Sequence, residues 1–350
     1  MFSRPFQFGR RTFLSALALL PPLARGMSGS AATTSKDFTK LAFGSCALQD
    51  QPQKLWDTIR AAKPDVFAFI GDNVYSDTTD MKVMQKAYDK LGAIPQFKNF
   101  RKEIPIIATW DDHDFGFNDS GSEIKTKPQA KEIMLNFFGE PKDSERRMRD
   151  GVYTSYVFGE KPRRVQVILL DLRWFRSALL PNTDKEVGGY IPNPDPKATM
   201  MGDAQWKWFE DQLHVDADFR VIASSTQFVA PDHKFEKWAN FTHDKQRMLD
   251  LIDKMALKNF VFISGDMHYG ELSLQATAAG RSVYDLTASG INRFAFGAGA
   301  FFKNSTRLNI FDSDYNYGML TFDWAKSSVA LEVFDSKGVA QISFPLAIQA

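Results

Sequence analysis

The sequence predicts an α/β protein in which two sheets pack together as a sandwich and helices flank the sheets. Strand-like and helix-like segments alternate over most of the chain, which is typical of layered α/β architecture. Several strand-like segments are continuous apolar runs, as in strands buried on both faces. From residue 283 onward, strand-like segments follow one another without helices between them. The sequence therefore predicts a β-rich C-terminal part.

The individual elements follow from the pattern of apolar residues in each segment. Strands are predicted where short segments are apolar throughout or rich in β-branched and aromatic residues. They cover 41–45, 65–70, 104–109, 152–158, 165–170, 220–223, 260–264, 283–287, 318–324, 329–334 and 340–344. The predicted helices cover 52–62, 128–138, 203–213 and 243–255. The charged stretch 142–150 is interpreted as a solvated loop or face.

Chain length and composition favour a globular protein with a large core. The chain has 350 residues, of which 44% are hydrophobic and 24% charged, so disorder is not expected. A net charge of +1 argues against specific nucleic-acid binding or electrostatic capture by a membrane as the main function. No apolar run reaches the roughly 18 residues that a transmembrane helix requires.

Residues 1–32 are interpreted as an export signal, which leaves 33–350 as a single predicted domain. The adjacent Arg10 and Arg11 precede a mild apolar run from Ala16 to Leu20, and small residues follow at 29–32. This arrangement resembles a twin-arginine signal, and it predicts the twin-arginine translocase as a partner during export. The expected location is the periplasm or the outside of a bacterial cell. A basic amphipathic start or an uncleaved anchor is the alternative.

Three acid-rich loops follow three predicted strands. They are Gly71 to Tyr75 (sequence GDNVY), Trp110 to Asp114 (WDDHD) and Gly265 to Tyr269 (GDMHY). Because sites in open α/β sheets form at the carboxyl ends of strands, we expect these loops to meet. Cys46, the single cysteine, also closes a predicted strand. Oxygen and imidazole ligands suit hard or borderline cations, and two such cations form a phosphoester-cleaving centre.

These motifs resemble those of the alkaline phosphatase D family of metallophosphoesterases. The resemblance extends from about Leu41 to Phe334, in matching order and spacing. The motifs that carry it are FGSC at 43–46, GDNVY at 71–75, WDDHD at 110–114, LDLR at 170–173 with Arg176, MGDAQW at 201–206 and GDMHY at 265–269. It implies a calcineurin-like sandwich with a metal centre at the strand ends, and an exported hydrolase of phosphate monoesters or diesters.

The resemblance also implies which residues bind metal. The implied ligands of a trivalent iron are Cys46, Asp72, Tyr75 and His268. Thiolate and phenolate donors favour iron over magnesium. Asp72 would bridge to a second site, completed by Asp112 and Asp266, whose oxygen ligands suit calcium. Other divalent cations remain alternatives to Fe3+ and Ca2+.

The expected mechanism is in-line attack on phosphorus by a metal-bound hydroxide or oxide. His113, oriented by Asp114, is predicted to protonate the leaving oxygen. Asn73, Asn118 and Gln227 are the candidate substrate-binding residues. Asn118 is interpreted equally as a phosphate contact or a turn cap. Gln227 stands where broader metallophosphoesterases carry a metal-binding histidine.

Several alternatives remain open from the sequence. A catalytically inactive metal-binding envelope protein would retain the same fold, and thiolate and phenolate donors would also suit iron redox chemistry. The substrate could be a simple monoester, a nucleotide, a phospholipid or a teichoic-acid-like polymer. The apolar, glycine-hinged segment 293–302 is interpreted either as a lid or lipid-facing loop, or as a buried strand pair with a turn.

Overall fold

The computed structural model describes residues 37–184, 186 and 188–349. The predicted export signal lies outside these residues. The strands are β1 (Lys40–Gly44), β2 (Val66–Ile70), β3 (Ile106–Thr109), β4 (Thr154–Phe158), β5 (Val165–Leu169), β6 (Leu180–Pro181), β7 (Tyr190–Ile191), β8 (Phe219–Ser224), β9 (Phe260–Ser264), β10 (Gly270–Ala276), β11 (Ser282–Ala288), β12 (Arg307–Phe311), β13 (Asn316–Asp323), β14 (Ser328–Asp335) and β15 (Ala340–Ala347).

The helices connect these strands and cover the sheets. They are α1 (Leu55–Ala61), α2 (Met81–Ala93), α3 (Pro95–Glu103), α4 (Asp112–Phe115), α5 (Lys127–Phe137), α6 (Glu145–Met148), α7 (Gly202–Gln212), α8 (Thr242–Lys254) and α9 (Ala298–Phe301), with a 3-10 turn at Trp238–Asn240. Asp80 caps α2 by accepting from the Lys82 N–H at 2.8 Å. Proline in the first turn begins both α3 and α5. No helix among the described residues is long and apolar enough to cross a membrane.

Two large sheets form the predicted sandwich. The first sheet has the strand order β15-β14-β13-β1-β2-β3, and the second has the order β12-β10-β11-β9-β8-β5-β4. In the first sheet, β1, β2 and β3 are parallel. In the second, β5, β8, β9 and β11 are parallel. The parallel strands of each sheet therefore share one carboxyl edge. Strands β10 to β15 follow β9 and make the C-terminal part β-rich, as the sequence predicts.

The core lies between the sheets and under the helices. One cluster of buried side chains joins the inner faces, including Leu41 and Val66 of the first sheet and Val221 and Ile263 of the second. A second cluster places α1, α2, α3 and α5 on the outer face of the first sheet. A third places α7 and α8 on the outer face of the second sheet.

Two predicted features differ from the structure. The stretch 142–150 contains α6, and Arg146 is buried there, donating to the backbone oxygens of Val152 and Ala108. Segment 293–302 is not a buried strand pair: it contains α9, and Phe296 and Phe301 are exposed. For Arg146, the contact with Ala108, 38 residues away in sequence, accounts for the burial.

Candidate metal centre

Close backbone approaches bring the strand ends of the two sheets together. A Cβ atom on Gly265, which follows β9, would lie 2.6 Å from Ser45 Oγ, which follows β1. A Cβ atom on Gly71 would lie 2.6 Å from Asp111 Cβ, and Gly71 has a φ of 109°. Only glycine fits such positions without displacing its neighbours. These two glycines therefore permit the loops that carry Asp72 and Asp266 to meet.

Four candidate ligands have left-handed backbone conformations. The φ angles are 64° at Cys46, 48° at Asp72, 67° at Asp266 and 60° at His268. Such conformations cost residues other than glycine about 1–2 kcal/mol each, and they cluster at functional sites. The loops are fixed by hydrogen bonds such as the one from the Ala47 N–H to the Asp72 carbonyl at 3.0 Å. The protein thus holds these side chains in place at a cost in backbone energy.

The four predicted iron ligands converge. Potential ligand atoms of Cys46, Asp72 and His268 all lie within 4.8 Å of one another. The Cys46 thiol lies 3.3 Å from Asp72 Oδ2, and the Tyr75 hydroxyl donates to the same oxygen at 3.0 Å. That hydroxyl also lies 3.1 Å from His268 Nε2. A thiol, a phenol, a carboxylate and an imidazole therefore surround one small volume.

A second group shares Asp72 with the first. Potential ligand atoms of Asp72, Asp112 and His113 also lie within 4.8 Å of one another. The buried Oδ1 atoms of Asp72 and Asp112 have no hydrogen-bond partner among the residues that the structure describes. Buried carboxylate oxygens are normally paired, so these two atoms fit ligands of a cation. The arrangement can hold two cations with the Asp72 carboxylate between them.

The electrostatics of the site favour a cation. Burial raises the pKa of Asp72, and the neighbouring Asp112 raises it further. Burial also raises the pKa values of Cys46 and Tyr75, and Asp72 adds to both shifts. Burial lowers the pKa of His268 to about 4, so its imidazole is neutral and has a lone pair for a metal. A cation would reverse the pKa shifts of the acidic groups by stabilising their anions.

Asp266 lies near both groups but belongs to neither. Burial has the largest effect and raises the pKa of its carboxyl group. The charges of Asp111, Asp112 and Asp72 raise this pKa further. These effects place Asp266 within electrostatic reach of the centre. The structure does not bring its oxygens into the two compact ligand groups.

Asp77, rather than Asp114, contacts His113. The Nδ1 atom of His113 lies 2.6 Å from Asp77 Oδ1. Asp114 is buried, and its carboxylate accepts from the Asp111 N–H at 2.7 Å and from the Tyr88 hydroxyl at 3.0 Å. The expectation that Asp114 orients His113 is therefore wrong. Asp114 lies one position after His113 in α4, and its side chain closes the helix start instead.

The three candidate substrate-binding residues have different surroundings. Asn73 is 0% exposed and donates to the Thr109 carbonyl at 2.9 Å, so it braces the loops beneath the site. Gln227 is also buried, and its amide donates to Thr287 Oγ1 at 2.8 Å. Because protein encloses both side chains, the structure does not support the predicted substrate contacts of Asn73 and Gln227. Asn118 is exposed on the loop after α4, where a substrate can reach it.

A buried ion-pair network behind the centre was not predicted. Arg173 donates to Asp111 at 2.5 Å and to Glu236 at 2.7 Å, and lies 3.9 Å from Asp112 Oδ1. Arg176 lies 3.1 Å from the other Glu236 oxygen. Arg173 belongs to the LDLR motif, whereas its partners Asp111 and Glu236 lie far from it in the sequence. Glu236 carries no local signal, because it lies in an irregular loop between β8 and α8.

The fold and this ligand set define a candidate two-metal centre at the carboxyl edge of a two-sheet sandwich. The chain belongs to the PhoD-like phosphatase family, whose family model matches residues 41–314. It is 22% identical over 195 residues to alkaline phosphatase D of Bacillus subtilis (strain 168), which is 47% of this chain and 31% of that relative. The match thus covers less than a third of the relative's length.

Two solved structures share the fold. A solved structure of PhoD has a TM-score of 0.72 and 15% identity, covering 92% of this chain and 71% of the other. A crystal structure of a dimetal phosphatase from Danio rerio has a TM-score of 0.56 and 10% identity, covering 90% of this chain and all of the other. At these identities the similarity shows the fold alone.

Proposed function

We propose that the protein is a metal-dependent phosphoester hydrolase that acts on phosphate diesters or monoesters. The observation that carries this proposal is the Asp72 carboxylate, which belongs to both ligand groups. Membership of the PhoD-like phosphatase family supports the same chemistry. We further propose that residues 1–32 direct export by the twin-arginine route to the periplasm or beyond, on the basis of Arg10 and Arg11.

The donor chemistry supports different cations in the two groups. Cys46, Tyr75 and His268, with Asp72, suit Fe3+ because thiolate, phenolate and imidazole are strong donors. The oxygens of Asp72 and Asp112, with Asp266 nearby, suit Ca2+. When bound, such cations would neutralise phosphate charge and lower the pKa of water.

His113 is the proposed acid for the leaving oxygen. Burial lowers its pKa, but the hydrogen bond to Asp77 and the charges of Asp72 and Asp112 raise it, with a net value of about 10. The imidazole is therefore protonated at neutral pH in the absence of bound cations. Asp77 holds the ring through Nδ1, which leaves Nε2 to deliver a proton to the departing alkoxide. Asn118, exposed nearby, is the proposed phosphate contact.

The test combines metal analysis with rates on matched substrates. The protein is loaded with Fe3+ and Ca2+, and hydrolysis of bis(4-nitrophenyl) phosphate is compared with that of 4-nitrophenyl phosphate. We expect Asp72→Asn to lose bound metal and to lower kcat/KM by more than about a hundredfold. Asp211→Asn is the control, because Asp211 is an exposed partner of Lys207 on α7.

The outcomes separate the alternatives. Preference for the diester assigns a phosphodiesterase, and preference for the monoester assigns a phosphomonoesterase. Binding of both metals without turnover of either substrate would contradict the proposal and favour the inactive metal-binding protein. For His113→Asn, retained metal with reduced turnover supports the acid role, whereas loss of metal would make His113 a ligand.

A further inference from the structure

An aromatic loop, defined here as residues 292–303, is attached directly to the candidate metal centre. The Asn292 N–H donates to the Cys46 carbonyl at 3.4 Å, and the Asn292 side chain bonds both backbone groups of Leu48. The Ala295 N–H donates to the His268 carbonyl at 2.7 Å. The loop is thus hydrogen-bonded to backbone groups of two candidate iron ligands.

Arg293 presents a cationic group beside that centre. Its guanidinium carbon lies 4.5 Å from the centroid of the Tyr75 ring. The residue is half-buried, and its charge lowers the pKa values of both Tyr75 and His268. Within the described part of the chain, no carboxylate forms an ion pair with this guanidinium. A half-buried guanidinium free of a protein anion is suited to bind an anionic substrate.

Beyond Arg293, the aromatic loop exposes two phenylalanine rings. Phe296 is 77% exposed and Phe301 is 79% exposed. A Cβ atom on Gly297 would lie 3.8 Å from the Phe301 ring. Gly297 directly follows Phe296, so the Phe301 ring packs beside the backbone next to Phe296. Phe294 is half-buried and packs edge-on against Tyr315, with the two ring centroids 5.1 Å apart.

The backbone beneath these rings is well anchored. Ala298 is buried in a small cluster with Met267 and Tyr269. The Gly299 N–H donates to Asp312 Oδ2 at 2.8 Å, and Arg307 donates to the Phe302 carbonyl at 2.7 Å. Exposure of the two rings therefore results from a defined loop conformation. Large apolar side chains exposed together commonly mark a binding surface.

We propose that the aromatic loop is a substrate subsite for a phosphoester whose non-reacting group is apolar. Arg293 takes phosphate charge at the inner end of the loop, and Phe296 and Phe301 receive the apolar group at the outer end. The order of these side chains along the loop, from cation to apolar surface, matches an amphiphilic phosphoester. This inference rests on the proposed hydrolase function and names the substrate class for the same site.

The test uses monomeric, water-soluble diesters that differ only in their apolar group. Methyl, butyl and hexyl 4-nitrophenyl phosphates are compared with the metal-loaded protein at concentrations below aggregation. We expect kcat/KM to rise about tenfold from the methyl to the hexyl ester, since part of the added chain leaves water. The double variant Phe296→Ser/Phe301→Ser removes this rise. Met148→Ser is the control, because Met148 is 74% exposed but lies on α6.

Arg293→Gln tests the inner end of the subsite. We expect a similar loss of kcat/KM across all three esters, expressed mainly in KM, with Arg293→Lys restoring part of it. Turnover of the methyl ester without chain-length dependence would overturn the inference and leave the hydrolase function standing. No turnover of the three diesters, with 4-nitrophenyl phosphate still hydrolysed, would overturn the inference and leave a phosphomonoesterase. No turnover of that monoester either would overturn both.

A vesicle experiment distinguishes the source of the apolar group. Binding of the protein to neutral phosphatidylcholine vesicles is measured by co-sedimentation. Chain-length preference with soluble esters, and no vesicle binding, supports a substrate subsite. Vesicle binding that depends on Phe296 and Phe301, together with no preference among soluble esters, would replace the proposal with a membrane-docking surface.

Discussion

At the scale of single residues, Glu236 joins two buried arginines into one network behind the candidate metal centre. Its two oxygens face Arg173 and Arg176, and all three side chains are about 1% exposed. Burial of one carboxylate between two guanidinium groups leaves a net positive charge, which Asp111 offsets at 2.5 Å from Arg173. The network therefore depends on every acidic partner being present.

Neutralising this carboxylate is expected to destabilise the fold. We predict that Glu236→Gln lowers the free energy of unfolding by about 3 kcal/mol, because two buried guanidinium groups lose their shared anion. Urea denaturation of the metal-free protein measures the difference. The control is Asp50→Asn, which removes the exposed ion pair with Lys90. Equal stability of Glu236→Gln and the parent protein would show that the buried ion pairs contribute little.

His233 gives a prediction about pH. It is buried, and neither ring nitrogen has a hydrogen-bond partner among the described residues. Burial lowers its pKa to about 3, assisted by the charges of Lys237 and Arg307. In the unfolded chain a histidine has a pKa of about 6.5. Between pH 6.5 and pH 3 the unfolded state binds a proton at His233 that the folded state does not bind. The stability that the neutral His233 contributes is therefore fully present above pH 6.5 and is lost as the pH falls towards 3.

The pH prediction can be measured by substitution. Between pH 6.5 and pH 5, protonation of His233 in the unfolded state should lower the free energy of unfolding by about 2 kcal/mol. His233→Leu should remove this part of the pH dependence. Denaturation curves at both pH values give the comparison, with the exposed His214→Gln as control. An unchanged pH dependence in His233→Leu would mean that His233 remains accessible to protons in the folded state.

At the scale of elements, the loop between β9 and β10 stores backbone strain next to the centre. Asp266 and His268 both have positive φ angles there. We predict that metal-free Asp266→Gly is more stable than Asp266→Ala by about 1 kcal/mol, since glycine adopts this conformation without a Cβ penalty. Both variants lack the carboxylate, so thermal melting isolates the backbone effect. If alanine proves equal to glycine, the loop relaxes and the strain is not retained.

The elements also show what the sequence could and could not predict. All eleven predicted strands are present to within a few residues, because apolar runs identify buried strands directly. Strand β10 escaped prediction because it buries Glu271, which Arg307, Gln227 and Asn304 satisfy from other loops. Helix α2 was missed although its buried side chains, Met84, Ala87, Tyr88 and Leu91, have helical spacing.

The sequence also predicts part of the candidate site, namely the residues that directly follow strands. Cys46, Asp72, Tyr75 and His268 follow strands, so the parallel topology alone brings them to one edge. The partner of His113 is Asp77, which belongs to a different loop, and sequence spacing carries no information about that contact. The burial of Asn73 and Gln227 likewise depends on packing across both sheets. The sequence therefore predicts the topology, but it does not predict side-chain contacts between loops.

At the scale of the whole molecule, the candidate ligands come from both sheets. Cys46, Asp72 and Asp112 follow strands of the first sheet, and Asp266 and His268 follow a strand of the second. A cation held between Asp72 and His268 would therefore link the two halves of the sandwich. It would also offset the repulsion that raises the pKa of Asp72.

Metal binding is accordingly expected to stabilise the entire fold. A cation that binds only the folded state, at about 100 times its Kd, adds about 2.7 kcal/mol. For a domain of this size that corresponds to a rise in Tm of about 4 °C. Scanning calorimetry with and without Fe3+, Ca2+ and a chelator measures the change. Asp72→Asn should lose the rise, because Asp72 belongs to both ligand groups. A Tm rise of equal size in Asp72→Asn would show that the metals bind elsewhere.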